Sequence, residues 1–183
     1  MPPTPPIALT PARTSPTDPA FQALLSWPFA SDPFYERQVL RLLQQDIPHR
    51  WLYGSLFVWL YNDPAGQTVG FGALDVCREY QQFTSGKDHG YIPVLAVNPK
   101  FQGRGHGRTI VEHLTTEAAL CVQGAAGLSE FLFLDVYVAN QRAIDLYVRC
   151  GFTVLNPDLP IADPDENQEP YFIMARNVSI VSS

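Results

Sequence analysis

The stretch from Val94 to Leu114, VLAVNPKFQGRGHGRTIVEHL, constrains the fold more than any other part of the chain. An apolar run ends at Asn98-Pro99, a turn with Gly103, Gly105 and Gly107 follows, and the apolar spacing of an amphipathic helix then begins. Such a turn presents backbone N–H groups that lack an intrahelical acceptor, and the helix dipole adds partial positive charge there. Glycine permits positive φ and close approach of a bulky anion. Arg104, His106 and Arg108 add side chains that can carry charge at the rim. A pyrophosphate fits a nest of this kind. Taken alone, the three glycines also fit a bare strand-to-helix connection.

Two familiar phosphate motifs are excluded. A P-loop needs Lys-Ser or Lys-Thr after its last glycine, whereas Arg108-Thr109 stands here. A dinucleotide fingerprint needs GxGxxG after the first strand, whereas this turn reads GxGxG deep in the chain. With 183 residues, 46% of them hydrophobic, the chain can build one domain with a substantial core. Its formal charge of −6 argues against a large nucleic-acid surface, since phosphate contacts need clustered Lys and Arg. Cys77, Cys121 and Cys150 are odd in number and show no metal-ligand spacing, so neither a disulfide framework nor a metal site is expected. The start lacks signal-peptide features and no apolar run spans a bilayer, which predicts a cytoplasmic protein with no membrane partner.

Order is expected to begin near Ile7, after a proline-rich tail over 1–6, and to end near 178, with a short tail over 179–183. The first twenty residues read either as a mobile tail or as a tail around one short strand at Ile7 to Leu9. DPAFQALLSWPF and DPFYERQVLRLLQQDIP each open on Asp-Pro and read as short helices, the second with Phe34, Val39, Leu42 and Leu43 in a stripe. SLFVWLY and QTVGFGALDV read as a hairpin around Asn62 to Gly66. REYQQFTSGKDHG is a loop, YIPVLAVNP a long strand with Pro93 near its start or at an irregularity, and Gly107 to Val122 a helix. EFLFLDVYV is a strand, NQRAIDLYVRCGF a helix, and FTVL and YFIMARNV are further strands. The order is mixed α/β with a βαβα core, and no internal repeat is visible.

Two segments together, LAVNPKFQGRGHGRTIVEHL and LDVYVANQRAIDLYVRCGF, resemble the GNAT superfamily of acetyl-CoA-dependent N-acetyltransferases. Gln102, Gly105 and Gly107 meet its Gln/Arg-x-x-Gly-x-Gly/Ala pattern. Asn140, Ala143, Leu146, Tyr147, Gly151 and Phe152 meet its Asn-x-x-Ala-x-x-Leu-Tyr-x-x-x-Gly-Phe pattern. The resemblance implies a central mixed, mostly antiparallel twisted sheet of about six to seven strands flanked by helices. It also implies acetyl-CoA, as co-substrate, in a V-shaped splay between two central strands. Backbone groups of Leu95, Ala96 and Val97 would bind the pantetheine arm and acetyl carbonyl. The segment Gln102, Gly103, Arg104, Gly105, His106, Gly107 and Arg108 would hold the pyrophosphate. Asn140 would meet the pantetheine arm, and Tyr147 would lie beside the thioester sulfur as candidate acid.

Each of these residues also has a plainer reading. Tyr147 at helical spacing fits a core aromatic, and Asn140 before a helix fits an N-cap. Asp135, inside LFLDVYV, shares a strand face with Phe133 and Tyr137. It matches the position of a glutamate base in the ribosomal-protein branch of the family, and is also open to being a carboxylate satisfied by its neighbours. Asp75, Glu79 and His89 are alternative bases, and Tyr80, Phe83, Tyr137 and Tyr171 are aromatics able to line a pocket. Asp158, Asp163, Asp165, Glu166 and Glu169 form an acidic segment with no Lys or Arg, which favours a cationic amine-bearing acceptor or is simply a solvated loop. The expected activity is acetyl transfer from acetyl-CoA to a primary amine of a small molecule or protein. A non-catalytic acyl-CoA-binding sensor is the alternative, and a homodimer is left open.

Overall fold

The structure is a computed structural model that describes residues 8–27, 39–52, 54–158, 160–162 and 169–179. In chain order its elements are β1 (Thr10–Thr14), α1 (Pro19–Gln22), α2 (Ile47–Leu52), β2 (Leu56–Asn62), β3 (Thr68–Cys77), β4 (His89–Ile92), β5 (Leu95–Val97), α3 (His106–Gly124), β6 (Phe131–Tyr137), α4 (Gln141–Arg149), β7 (Thr153–Val154), β8 (Ile161–Ala162) and β9 (Pro170–Asn177). By its internal packing the chain divides into two compact units, residues 1–75 with 94–110 and residues 76–93 with 111–183.

The first unit is antiparallel throughout. β1 pairs with β2 from Thr10↔Asn62 to Thr14↔Val58, and β2 pairs with β3 across a five-residue turn. Asp63 organises that turn: its carboxylate accepts from the N–H groups of Ala65 and Gln67, both at 2.9 Å, and Gly66 takes positive φ. β5 adds to the other side of β3, with Gly70 opposite Val97 and Gly72 opposite Leu95. Phe21, Leu24, Leu43, Ile47, Leu56, Val58, Leu60, Phe71, Ala73 and Val94 make one buried cluster beneath these strands.

The helices of this unit start as their sequence requires. Asp18 caps α1 by accepting from the Ala20 N–H at 2.8 Å, with Pro19 at the first helical position where no N–H is needed. The second predicted helix departs from expectation at its end. Instead of stopping at Asp46-Ile47-Pro48, it widens into a π-turn over Leu42–Asp46 and continues as α2. Pro48 has no N–H to offer an i−4 carbonyl, and a π-turn in the preceding residues accommodates that loss without ending the helix. The opening of that predicted helix, Phe34 included, lies outside the described residues.

In the second unit, β4 pairs parallel with β6 and β9 pairs antiparallel with β6 from Phe131↔Asn177 to Tyr137↔Tyr171. The short β7 and β8 both pair antiparallel with β9. Within either unit β4–β6 is the parallel pairing, so the protein is mixed α/β with mostly antiparallel sheet, as the sequence predicts. Of the stripe Ile110, Val111, Leu114, Ala118 and Val122 expected from the 3.6-residue period, α3 buries the first four and leaves Val122 half-buried.

Three expectations need correction. The first described strand lies at Thr10–Thr14, where pairing with β2 places it, and Ala8 and Leu9 of the expected strand lie in none, while Ile7 lies outside the described residues. The long strand expected over Tyr91 to Pro99 is two strands, β4 and β5, broken at Pro93-Val94, where proline supplies no ladder donor. The loop before it gives up His89 and Gly90 to β4 and holds a 3₁₀ turn at Gln81–Phe83.

Gly70 is the tightest point of the first unit. A Cβ there would lie 2.6 Å from Ile110 Cδ1 and 2.8 Å from the Ala96 carbonyl oxygen. The isoleucine tip can turn aside, whereas the backbone oxygen of β5 cannot without moving the strand. Gly70→Ala is expected to destabilise the protein by about 1–3 kcal/mol, the usual range for overpacking. Equilibrium urea unfolding measures this, and an unchanged midpoint would contradict the packing account.

Candidate functional site

The glycine-rich segment lies wholly in the first unit, between β5 and the body of α3. Asn98 ends β5: its N–H donates to the Val69 carbonyl at 2.8 Å and its side chain accepts from the Lys100 N–H at 3.1 Å. Gln102 folds back so that its Nε2 donates to the Val97 carbonyl at 3.1 Å, which closes the turn. Gly103 and Gly105 take φ of 78° and 85°, a region that other residues enter only with strain. Nothing lies within 4 Å of a Cβ placed on Gly103, so the turn is open on that side.

The consequence is a row of donors. Gly105 accepts at its carbonyl from the N–H groups of Arg108 and Thr109, at 3.0 and 3.3 Å. Among the described residues the N–H groups of Gly103, Arg104, Gly105, His106 and Gly107 enter no hydrogen bond. They stand at the head of a nineteen-residue helix, where the dipole favours an anion. Arg104 lies exposed over the Phe101 ring, 5.5 Å from its centroid, and Arg108 is exposed as well. The backbone therefore offers what a pyrophosphate needs, with the exposed Arg104 and Arg108 at its rim.

His106 does not join that rim. Its side chain is buried and both ring nitrogens lack partners. Burial, with help from the Arg104 charge, lowers its pKa and keeps the imidazole neutral. No positive charge is therefore available from it to a ligand at neutral pH.

The second unit holds the remaining predicted residues. Asn140 caps α4, its side chain accepting from the Ala143 N–H at 3.2 Å. Tyr147, one turn before the end of α4, is 9% exposed and packs its ring against Phe152 at 6.0 Å. Burial pushes its phenol up, so it stays protonated through the neutral range and can donate.

Asp135 projects from β6 into a cluster of aromatic hydroxyls. Tyr80 donates to both carboxylate oxygens at 2.6 Å, and Tyr91 donates to Oδ2 at 2.9 Å. Burial first, and then the Asp135 charge, pushes both phenols well up, so both are donors and Asp135 is the acceptor. Tyr80, Tyr91, Phe133, Ile173 and Ala175 form the apolar floor. Of the aromatics singled out in the sequence, Tyr80 belongs to this cluster, Tyr171 packs against it, and Phe83 stacks on Phe133 at 6.3 Å between centroids. Tyr91 was missed, although strand alternation places it on the face of His89, because the strand was taken to begin at Tyr91 itself.

The alternative bases are placed differently. Asp75, in the first unit, is buried and ion-paired to Arg50 at 2.7 Å through one oxygen, the other having no partner. His89 is fully buried and its pKa is lowered, chiefly by that burial. Glu79 is exposed. Asp163, Asp165 and Glu166 of the acidic segment lie outside the described residues.

The comparisons agree with the motif reading. The profile of the Acetyltransferase (GNAT) family matches residues 20–152, and the chain belongs to that family. It is 33% identical over 102 residues to a mycothiol acetyltransferase of Propionibacterium freudenreichii, covering 55% of this chain and 28% of that protein. It is 37% identical over 89 residues to a [ribosomal protein bS18]-alanine N-acetyltransferase of Salmonella typhimurium, covering 47% of this chain and 54% of that protein. The chain thus spans about half or less of the length of these curated relatives. The solved ribosomal-protein-S18-alanine N-acetyltransferase of Escherichia coli shares the fold with a TM-score of 0.61 at 20% identity, over 96% of this chain and 97% of that one. No described helix is long and apolar enough to cross a membrane.

The histidines make stability depend on pH. His89, His106 and His113 all have lowered pKa values, burial being the first cause in each. Above about pH 6.5, the ordinary histidine value, neither state is protonated at these positions. Below it the unfolded chain binds protons that the folded chain resists, so stability is lost as pH falls. The melting temperature is expected to be lower at pH 5.5 than at pH 7.5, and an equal or higher value at pH 5.5 would contradict the assignment.

Proposed function

We propose that this protein transfers an acetyl group from acetyl-CoA to a primary amine. One observation carries the reading: five consecutive N–H groups, from Gly103 to Gly107, stand without partners in a turn that matches the family's pyrophosphate motif. The two curated relatives are both named as acetyltransferases, one for mycothiol and one for a ribosomal-protein alanine, which supports an amine acceptor of either small-molecule or protein type.

In this reading the N–H groups of the turn bind the pyrophosphate, while the β5 backbone from Leu95 to Val97 binds the pantetheine arm. A backbone N–H near Val97 stabilises the tetrahedral oxyanion, an interaction that strengthens as charge develops. Asn140 meets the pantetheine arm while it caps α4. Tyr147 keeps its proton at neutral pH and gives it to the departing thiolate. Asp135 receives the proton of the attacking amine, with the Tyr80 and Tyr91 hydroxyls as the groups through which that proton must pass. The acidic residues Asp158 to Glu169 favour an acceptor that arrives as a cation, and a cytoplasmic setting is consistent with these relatives.

The test is release of the CoA thiol against a panel of amines. Amine-dependent release is expected from the intact chain, and Tyr147→Phe is expected to lower turnover by about 10²-fold, the scale of a lost general acid. Acetyl-CoA affinity should stay within a factor of about two, because the hydroxyl acts on the leaving sulfur and not on the pyrophosphate. Unchanged turnover in Tyr147→Phe would remove it as the acid. Acetyl-CoA binding with no release from any amine would leave the sensor alternative in place.

A further inference from the structure

We propose that the Asp75 carboxylate, past the end of β5 that lies away from the glycine-rich turn, binds the acceptor amine through its unpartnered oxygen. The proposal rests on the acetyl-transfer reading and deepens it. Asp75 lies near the end of β3 and is 3% exposed. Arg50 of α2 donates from Nη1 to Oδ2 at 2.7 Å, and Oδ1 has no partner. A guanidinium can satisfy both oxygens of a carboxylate through a side-on contact with two donors. Here Asp75 is engaged at one oxygen only, so a desolvated anionic acceptor is left over, which a folded protein keeps at a cost.

The strand register places that oxygen beyond the thioester end of the coenzyme. β5 lies on β3 from Gly70 opposite Val97 to Gly72 opposite Leu95, and the Ala73 N–H donates to the Val94 carbonyl at 3.0 Å. The glycine-rich turn leaves from the Val97 end. Asp75 stands past the other end, two residues beyond the last of those bonds and about 17 Å along β3 from Gly70 at the usual strand rise. A coenzyme with its pyrophosphate in the turn and its pantetheine arm along β5 carries its thioester toward Asp75. Alternation puts Asp75 on the face of Phe71 and Ala73, which belong to one buried cluster with Leu43 and Ile47. Arg50 follows Ile47 by one helical turn on α2. Its side chain is 32% exposed, so the carboxylate lies one side chain below the surface.

A primary amine supplies what Oδ1 lacks. It brings N–H donors, and in its ammonium form a positive charge, whereas an alcohol brings a single neutral donor. The role is recognition: Asp75 holds the amine, and Asp135 remains the proton acceptor.

Propylamine hydrochloride is the probe, added to the full chain at pH 7 with the assigned side-chain carboxyl ¹³C resonance of Asp75 as the readout. That resonance is expected to shift saturably with propylamine and not with propanol, while exposed Asp145 shows no saturation. With an amine that supports CoA release, Asp75→Asn is expected to raise the KM for that amine at least about tenfold. Its kcat should stay within a factor of about three and its acetyl-CoA affinity within a factor of about two, a split that a merely structural role would not produce. No saturable shift at Asp75, or an unchanged KM in a folded Asp75→Asn protein, would overturn the proposal. If no amine supports release, the transfer reading fails, and the Asp75 resonance still decides whether this carboxylate binds an amine. The same resonance decides if Asp75→Asn does not fold.

Discussion

The close approach of three backbone segments at Gly70 is the constraint on which the glycine-rich turn depends. β5 can lie on β3 with Val97 opposite Gly70 and the Ala96 carbonyl oxygen close to it, and Ile110 of α3 can close over the same spot, because Gly70 has no side chain to separate them. Those contacts hold both ends of the turn: the strand that leads into it and the helix that leaves it. Gln102 then ties the turn back to Val97, and His106 is buried at the first helical position. With its flanks held in this way, a short run of residues keeps five N–H groups without internal partners. An unpaired N–H is costly when buried, and at a solvent-open helix start it is instead ready for an anion.

The second unit rests on a different balance. Asp135 sits among aromatic side chains on β6, where an unpaired carboxylate would be unfavourable, and two phenols from β4 and the loop before it donate to it, the Tyr80 hydroxyl shared between both oxygens. The arrangement is reciprocal. The carboxylate raises the phenols' pKa, and the phenols keep the carboxylate satisfied. It also specifies the loop, since Tyr80 is held at its hydroxyl by Asp135 and at its N–H by His89, and cannot leave one without disturbing the other.

Much of this was legible in the sequence because local chemistry decided it. Asp18-Pro19 and Asn140 cap helices as residues of those types do anywhere, Asp63 and Gly66 make their turn from side-chain acceptance and positive φ, and the period of α3 survives unchanged in its buried stripe. The failures were tertiary. The place of β1 depends on its partner strand, the break at Pro93 on where the sheet needs a ladder donor that proline lacks, and the passage of a helix through Pro48 on a π-turn that no pattern of apolar residues announces. For the candidate site, the motif residues were read individually, whereas the hydroxyl partners of Asp135 come from about 45 and 55 positions away and carry no spacing signal.

The central claim is that the Gly103 to Gly107 turn binds the pyrophosphate of acetyl-CoA, and calorimetric titration of the full chain tests it most directly. The account predicts binding of acetyl-CoA with no comparable heat from NAD or ATP, and loss of that binding in a folded Gly105→Val protein, where a β-branched residue would be forced to positive φ. Absence of acetyl-CoA binding, or undiminished binding in folded Gly105→Val, would contradict it and return the glycines to a simple connection between strand and helix.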